Sequence, residues 1–200
     1  MTSFAGKTIF VAGAACSLGE RLLPVFVDQQ ARVILMDQDS DRLQNMAMRA
    51  PNLIEHLPIR LLSLAQIRQL GAIWDEEPLH LLINLLPMRR QDPEHVLAGV
   101  SLALIEALHL GLKSARGAAI NVVPQAHGAD DIGFQMAESA LRKMSAALAE
   151  TDCKCAVRFH LIRPHSASDE NAIVQAISWI NHRDASDLTG VEIPIGSPAD

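Results

Sequence analysis

Strand-length runs of apolar residues alternate along the 200-residue chain with longer stretches whose apolar positions recur every three or four residues. Thr8–Ala12 (TIFVA) stops at Gly13 and reads as a strand buried on both faces. Leu18, Leu22, Leu23, Phe26 and Val27 form a helical stripe over residues 18–29. The second strand is 32–36 (RVILM), halted at Asp37, and Ser40 is positioned to cap the helix that carries Leu43, Met46 and Met48. A third, weaker strand is read at 58–62 (PIRLL), a short helix at 67–74 and a fourth strand at 79–85 (LHLLINL). Asp92, Pro93 and Glu94 give a helix start, with a cap, a proline at the first helical position and an acid in the first turn. That helix is expected to run to about Ala115. Then come a strand at 118–123 (AAINVV), an Ala-rich helix at 133–151, a strand at 156–162 (AVRFHLI), a helix at 172–180 and a short last strand at Glu192–Ile195. Strands apolar on both faces, each followed by a helix, predict an α/β fold: a doubly wound, Rossmann-like parallel sheet of about seven strands, in a single domain over residues 1–200.

Composition narrows the chemistry. Hydrophobic residues are 49 % and charged residues 20 % of the chain, enough to bury a core. The net charge of −6 disfavours nucleic acid and anionic membrane as partners, since both need clustered cations. The apolar runs are read as strand-length, so no membrane span is expected. The first residues lack a basic segment followed by an apolar run, and the three cysteines are odd in number, so a cytoplasmic location is expected. Tyrosine is absent, which removes it as an acid, base or stacking platform, and lysine is confined to Lys7, Lys113, Lys143 and Lys154. Cys153 and Cys155 have no second pair, and His80, His95, His109 and His127 show no ligand spacing, so no metal set is expected. Cys16 precedes a helix, where a thiolate would be favoured. Arg89 and Arg90 read as a solvated turn, and Trp179 as core or interface.

The turn after the first strand carries the clearest chemical signal. Gly13-Ala14-Ala15-Cys16-Ser17-Leu18-Gly19 leads from a strand into a helix, where glycines let backbone N–H groups approach a pyrophosphate. Asp37, at the end of the second strand, is placed to bind the ribose hydroxyls of NAD and to repel a 2′-phosphate. The cofactor-binding candidates are therefore Gly13, Leu18, Gly19 and Asp37.

With these residues the chain resembles the short-chain dehydrogenase/reductase (SDR) family almost end to end. Residues 6–19 look like the family's opening, and 31–37 like its second strand. Asn84-Leu85-Leu86-Pro87 stands where the family has Asn-Asn-Ala-Gly. Ile120-Asn121-Val122-Val123 is similar to the strand before the catalytic serine, Arg163-Pro164-His165 to the Pro-Gly turn, and 188–195 to the closing strand.

The resemblance implies a Ser-Tyr-Lys proton-transfer arrangement with a helper Asn, and the matching positions lack it. Phe134 stands at the Tyr place, Glu138 at the Lys place, Pro124 near the Ser place and Val100 near the Asn place. Losing a general acid/base costs about 10²- to 10⁴-fold in rate. No catalytic residue is therefore assigned; His127 is the one side chain of suitable pKa in that loop. The cofactor site departs too: Ala12 replaces the family's Thr, Ser17 replaces the middle glycine, and Leu86-Pro87 and His165 add bulk. Ser63 stands at the place of an adenine-contacting Asp. A vestigial NAD site and no bound cofactor are expected. The interval between His165 and Asp169 implies a shortened substrate-lid region.

The resemblance also implies two-fold interfaces through the fourth and fifth helices, with a second at the late helix and last strand. The fifth helix carries Met136, Ala140, Met144, Ala147 and Leu148, with Glu138 and Arg142 as candidates for specificity. The expected function is a catalytically inactive SDR-like subunit. It would assemble as a hetero-oligomer, such as a heterotetramer, with a catalytic SDR paralogue and stabilise it. Heteromeric NAD-dependent hydroxyacyl-CoA dehydrogenases of aromatic-compound β-oxidation offer an example. The alternatives are an NAD(H)-binding regulatory protein and an active NAD-dependent oxidoreductase with non-standard residues.

Overall fold

The computed structural model describes residues 4–60, 63–74, 77–88, 94–125, 132–151, 157–165, 169–181 and 188–196. In chain order the elements are β1 (Thr8–Ala12), α1 (Ser17–Val27), β2 (Arg32–Asp37), α2 (Ser40–Ala47), β3 (Ile54–Pro58), α3 (Leu64–Trp74) and β4 (Leu81–Asn84). After a short 3₁₀ turn at Leu86–Met88 come α4 (Glu94–Ala115), β5 (Ala118–Val122), α5 (Ile132–Thr151), β6 (Arg158–Pro164), α6 (Glu170–Ile180) and β7 (Glu192–Ile195). The seven strands form one parallel sheet in the order β3-β2-β1-β4-β5-β6-β7. The order reverses between β1 and β4, which opens a crevice at the carboxyl ends of those strands.

Alternation along each strand feeds two cores. Ile9 and Val11 of β1 pack with Leu22 and Phe26 of α1 and with Ile173 and Ile177 of α6. Phe10 and Ala12 face the other way, onto Ile67 of α3 and Leu104 and Leu108 of α4. This is the doubly wound parallel sheet expected from the sequence.

Three local readings are corrected. The third strand is Ile54–Pro58, not 58–62: it pairs only with β2, so as an edge strand it exposes Glu55 and His56 and shows little apolar pattern. The cap of α2 is Asp39, whose carboxylate accepts the Arg42 N–H at 3.0 Å, while Ser40 is already helical. Not every apolar run is strand-length either, since Ala98–Ala115 is long and apolar enough to cross a membrane. In the fold it is a core helix, with Leu104, Leu108 and Leu112 buried. Asp92 and Pro93, the expected start of α4, lie outside the described residues.

Candidate functional site

The crevice is built from the turn after β1. Gly13 has φ +73°, a conformation that side-chain-bearing residues rarely adopt. A Cβ there would also meet the backbone nitrogen of Leu86 at 2.9 Å. Gly19 lets α1 pack on the turn: a Cβ there would lie 2.1 Å from the Ala14 carbonyl oxygen. Gly13 and Ala14 donate their N–H groups to the Met36 carbonyl at 2.9 and 3.1 Å, so the end of β2 holds the turn. Leu18 is buried in the core beneath it.

Asp37 completes that clamp. Its carboxylate is fully buried and accepts N–H groups from Ala15 at 2.9 Å, Gln38 at 2.7 Å and Asp39 at 3.2 Å. It thus organises the turn, in addition to placing negative charge beside the position of a ribose. Cys16 caps α1, its sulfur accepting the Gly19 N–H at 3.4 Å. Burial pushes its thiol pKa up, and nearby Asp37 adds to this, so the thiolate expected at a helix start is not favoured here.

Leu86 and Pro87 were expected to crowd the crevice. Both are buried, and Leu86 belongs to the core cluster formed with α3 and α4, so its bulk is turned inward. Ser63, at the place the resemblance gives to an adenine-contacting Asp, accepts the Gln66 N–H at 3.4 Å at the start of α3.

Glu138, read from the sequence at the lysine place, is held in an ion pair. Glu138, on α5 and 8 % exposed, binds Arg163 of β6. Arg163 also contacts Glu192 of β7 at 2.7 Å, and Glu192 contacts Arg142 of α5 at 3.1 Å. Partial burial pushes the Glu192 carboxyl up, but its two arginine partners outweigh this and hold it below its ordinary range. Glu138 and Arg142 therefore bind α5 to the sheet, Glu138 from a buried position and Arg142 from an exposed one. Phe134 is 2 % exposed and packs with Val123, Leu141 and Leu161.

Ser101, Ser145, Gln125, Glu170 and Arg21 at the crevice were not singled out from the sequence, and Asn84 and Asn121 only as parts of the segments that carry the resemblance. Asn84 donates to Ser101 Oγ and to Asn121 Oδ1, both at 2.8 Å, and Asn121 donates to Ser145 Oγ at 3.1 Å. All four are buried, and they tie α4, β4, β5 and α5 together just below the carboxyl edge of the sheet. Their signal in sequence was polar residues inside otherwise apolar strands and helix faces. Val100, near the expected Asn place, is a core residue, and the polar group is its neighbour Ser101. Gln125 Oε1 lies 3.3 Å from His165 Nδ1 at the ends of β5 and β6. Glu170 of α6 binds both Ser17 and Arg21 at the start of α1.

Of the dispersed histidines, His80 accepts the Thr8 N–H through Nδ1 at 3.0 Å and so joins β4 to β1. His109 is half-buried on α4. His127, the side chain of His95, Arg89, Arg90, Cys153 and Cys155 lie outside the described residues. Among the described residues no three His, Cys, Asp or Glu side chains gather as a metal site.

No protein-family model matches the chain, and no curated protein sequence matches it. Solved structures do. The Pseudomonas aeruginosa RhlG/NADP active-site complex superposes with a TM-score of 0.79 at 19 % identity, covering 97 % of this chain and 96 % of that one. A Burkholderia xenovorans protein assigned to the short-chain dehydrogenases/reductases superposes with a TM-score of 0.80 at 17 % identity, covering 96 % of this chain and 95 % of that one. The first of these is a dinucleotide complex, and it overturns the expectation that a chain with this turn carries no cofactor. Part of the bulk read as an obstacle, the Leu86 side chain, lies in the core. The chain has the fold of the short-chain dehydrogenases/reductases.

Proposed function

We propose that this protein is a dinucleotide-binding, catalytically inert subunit of SDR fold that assembles with a catalytic chain of the same fold. One observation carries the reading: the tyrosine and lysine places hold a buried Phe134 and a Glu138 bound to Arg163. Phe134 has no proton to exchange, and Glu138 is tied to Arg163. Moving Glu138 toward the crevice would leave Arg163 with less compensation in a partly buried position.

The adenosine diphosphate half of a dinucleotide fits the chain. The Gly13 turn and the first N–H groups of α1 would hold the pyrophosphate, and Asp37 would set its negative charge against a 2′-phosphate. When bound, the cofactor supplies a hydride donor or acceptor. This chain's own residues bind and orient it, without a proton-transfer pair beside it.

Assembly is supported by the outer faces of two helices. Met136 is 69 % exposed on α5 and Leu110 is 55 % exposed on α4, with Ala140 and Ala147 also at the surface. Met144 and Leu148 are not part of that face, because they pack against the chain's own core.

The test is a paired assay. The purified chain, given NAD(H) or NADP(H) with a panel of alcohols, ketones and hydroxyacyl-CoA thioesters, is expected to show no turnover. Co-expression with a catalytic SDR-fold chain encoded nearby is expected to yield a complex that is more soluble or more active than the catalytic chain alone. Steady turnover by the isolated chain, proportional to its concentration, would overturn the reading.

A further inference from the structure

The start of α1 is already facing an anion. Ser17, the first helical residue, donates its hydroxyl to one carboxylate oxygen of Glu170, and Arg21, one turn along, binds the other. Arg21 also donates to the Asn171 side chain at 3.1 Å. The Glu170 side chain is only 13 % exposed although it lies at the first turn of α6. It sits at the N-terminal ends of two helices, its own and α1, and against the Arg21 guanidinium. Those features of α1 are the ones a pyrophosphate would use after the glycine turn.

We infer that Glu170 is an internal competitor for the phosphate-binding mouth, a carboxylate that an incoming dinucleotide must displace from Ser17 and Arg21. The inference rests on the dinucleotide-binding reading above and adds a control to it. While Glu170 holds α1, a second anion meets like charge at the mouth. When a pyrophosphate takes its place, Arg21 exchanges one anionic partner for another and α6 loses the Glu170 tie to α1, keeping only the Asn171 contact. Dinucleotide binding is thereby coupled to the α1–α6 contact. The same helix presents Ala176 and Trp179 over an apolar groove beside β7, so the coupling ends at an exposed surface.

Calorimetric titration with NAD and with ADP-ribose, which lacks the nicotinamide, tests this on the full chain. Glu170→Gln removes the charge and keeps the shape, and it is expected to tighten both ligands by about tenfold, the size of one close charge–charge contact. Glu170→Ala removes the carboxylate altogether and is expected to give a gain in the same direction; it also serves should Glu170→Gln fold poorly. Gains confined to NAD would overturn the inference, since the mouth serves the part common to both ligands. If the wild-type chain binds NAD and both variants bind within twofold of it, the competitor is refuted and the binding reading stands. If no chain binds either ligand, both fall together.

Discussion

The Asp37 carboxylate accepts the Ala15 N–H at 2.9 Å, so the last residue of β2 holds the turn that leaves β1. Two further N–H groups, those of Gln38 and Asp39, end on the same side chain. Hydrogen bonds to a charged group contribute about 1.5–3 kcal/mol each when buried, though less than additively. Asp37→Ala is therefore expected to lower stability by about 2–4 kcal/mol, read from urea denaturation. The same variant should narrow any preference for NAD over NADP, read from paired binding titrations. A stability change under about 0.5 kcal/mol would mean that the clamp contributes nothing beyond an ordinary surface substitution.

Glu138 yields a second prediction. Glu138→Lys restores the family's residue type but puts a cation against Arg163, itself 18 % exposed in its side chain. Breaking a buried pair this way costs about 3–5 kcal/mol. Glu138→Gln keeps a hydrogen-bond acceptor and should cost markedly less. Comparing denaturation midpoints of the two variants checks the order. The double variant Phe134→Tyr, Glu138→Lys is expected to show no dehydrogenase turnover, because a hydroxyl at 134 enters an apolar cluster and no serine stands at Pro124.

The alternation of strand and helix was legible because apolar periodicity records burial directly, and buried central strands such as β1 and β5 are apolar throughout. The edge strand β3 was misplaced by several residues because only one of its edges is paired, so its sequence is half polar. Gly13, Gly19 and Asp37 could be placed at the crevice from sequence. That Asp37 would be enclosed by backbone N–H groups could not, since backbone geometry leaves no mark on residue type. Leu86 misled for a related reason: its size is plain in sequence, its direction is not. Glu170, remote from Ser17 along the chain, has no local signal at all, and only the packing of α6 on α1 brings it to the turn.

His160 gives a pH-dependent test. It lies on β6 opposite Ile120, is 1 % exposed, and neither ring nitrogen has a partner among the described residues. Burial, with Arg158 two residues away adding to it, pushes its pKa down to about 4. In the unfolded chain the ring titrates at about 6.5. Between these values the unfolded state binds the extra proton, so stability falls as pH drops from about 6.5 to about 4 and this contribution levels off below that. A shift of this size corresponds to about 3 kcal/mol. Carboxylates titrate in the same range, so the readout is the difference between wild type and His160→Leu. The variant should lose less stability than wild type over that window, and parallel curves would refute the assignment.

The outer face of α5 carries the last prediction. Met136, Ala140 and Ala147 are exposed there, and Leu102 and Leu110 are exposed on neighbouring α4. A two-fold contact through such a face is self-complementary, so homodimers compete with mixed assemblies. Glu138 is buried against Arg163, whereas Arg142 keeps an exposed side chain beside the same face. At the exposed positions one long cation among small residues opposes close helix approach. Ala140→Arg should leave the monomer folded, since the added side chain enters solvent, yet abolish association with a co-expressed catalytic chain. Met48→Arg, on an equally exposed apolar residue after α2, serves as the control and should leave assembly intact. Native mass spectrometry of the co-purified material reads the outcome. If Ala140→Arg assembles like wild type, or if Met48→Arg disrupts assembly equally, the partner does not dock on α4 and α5.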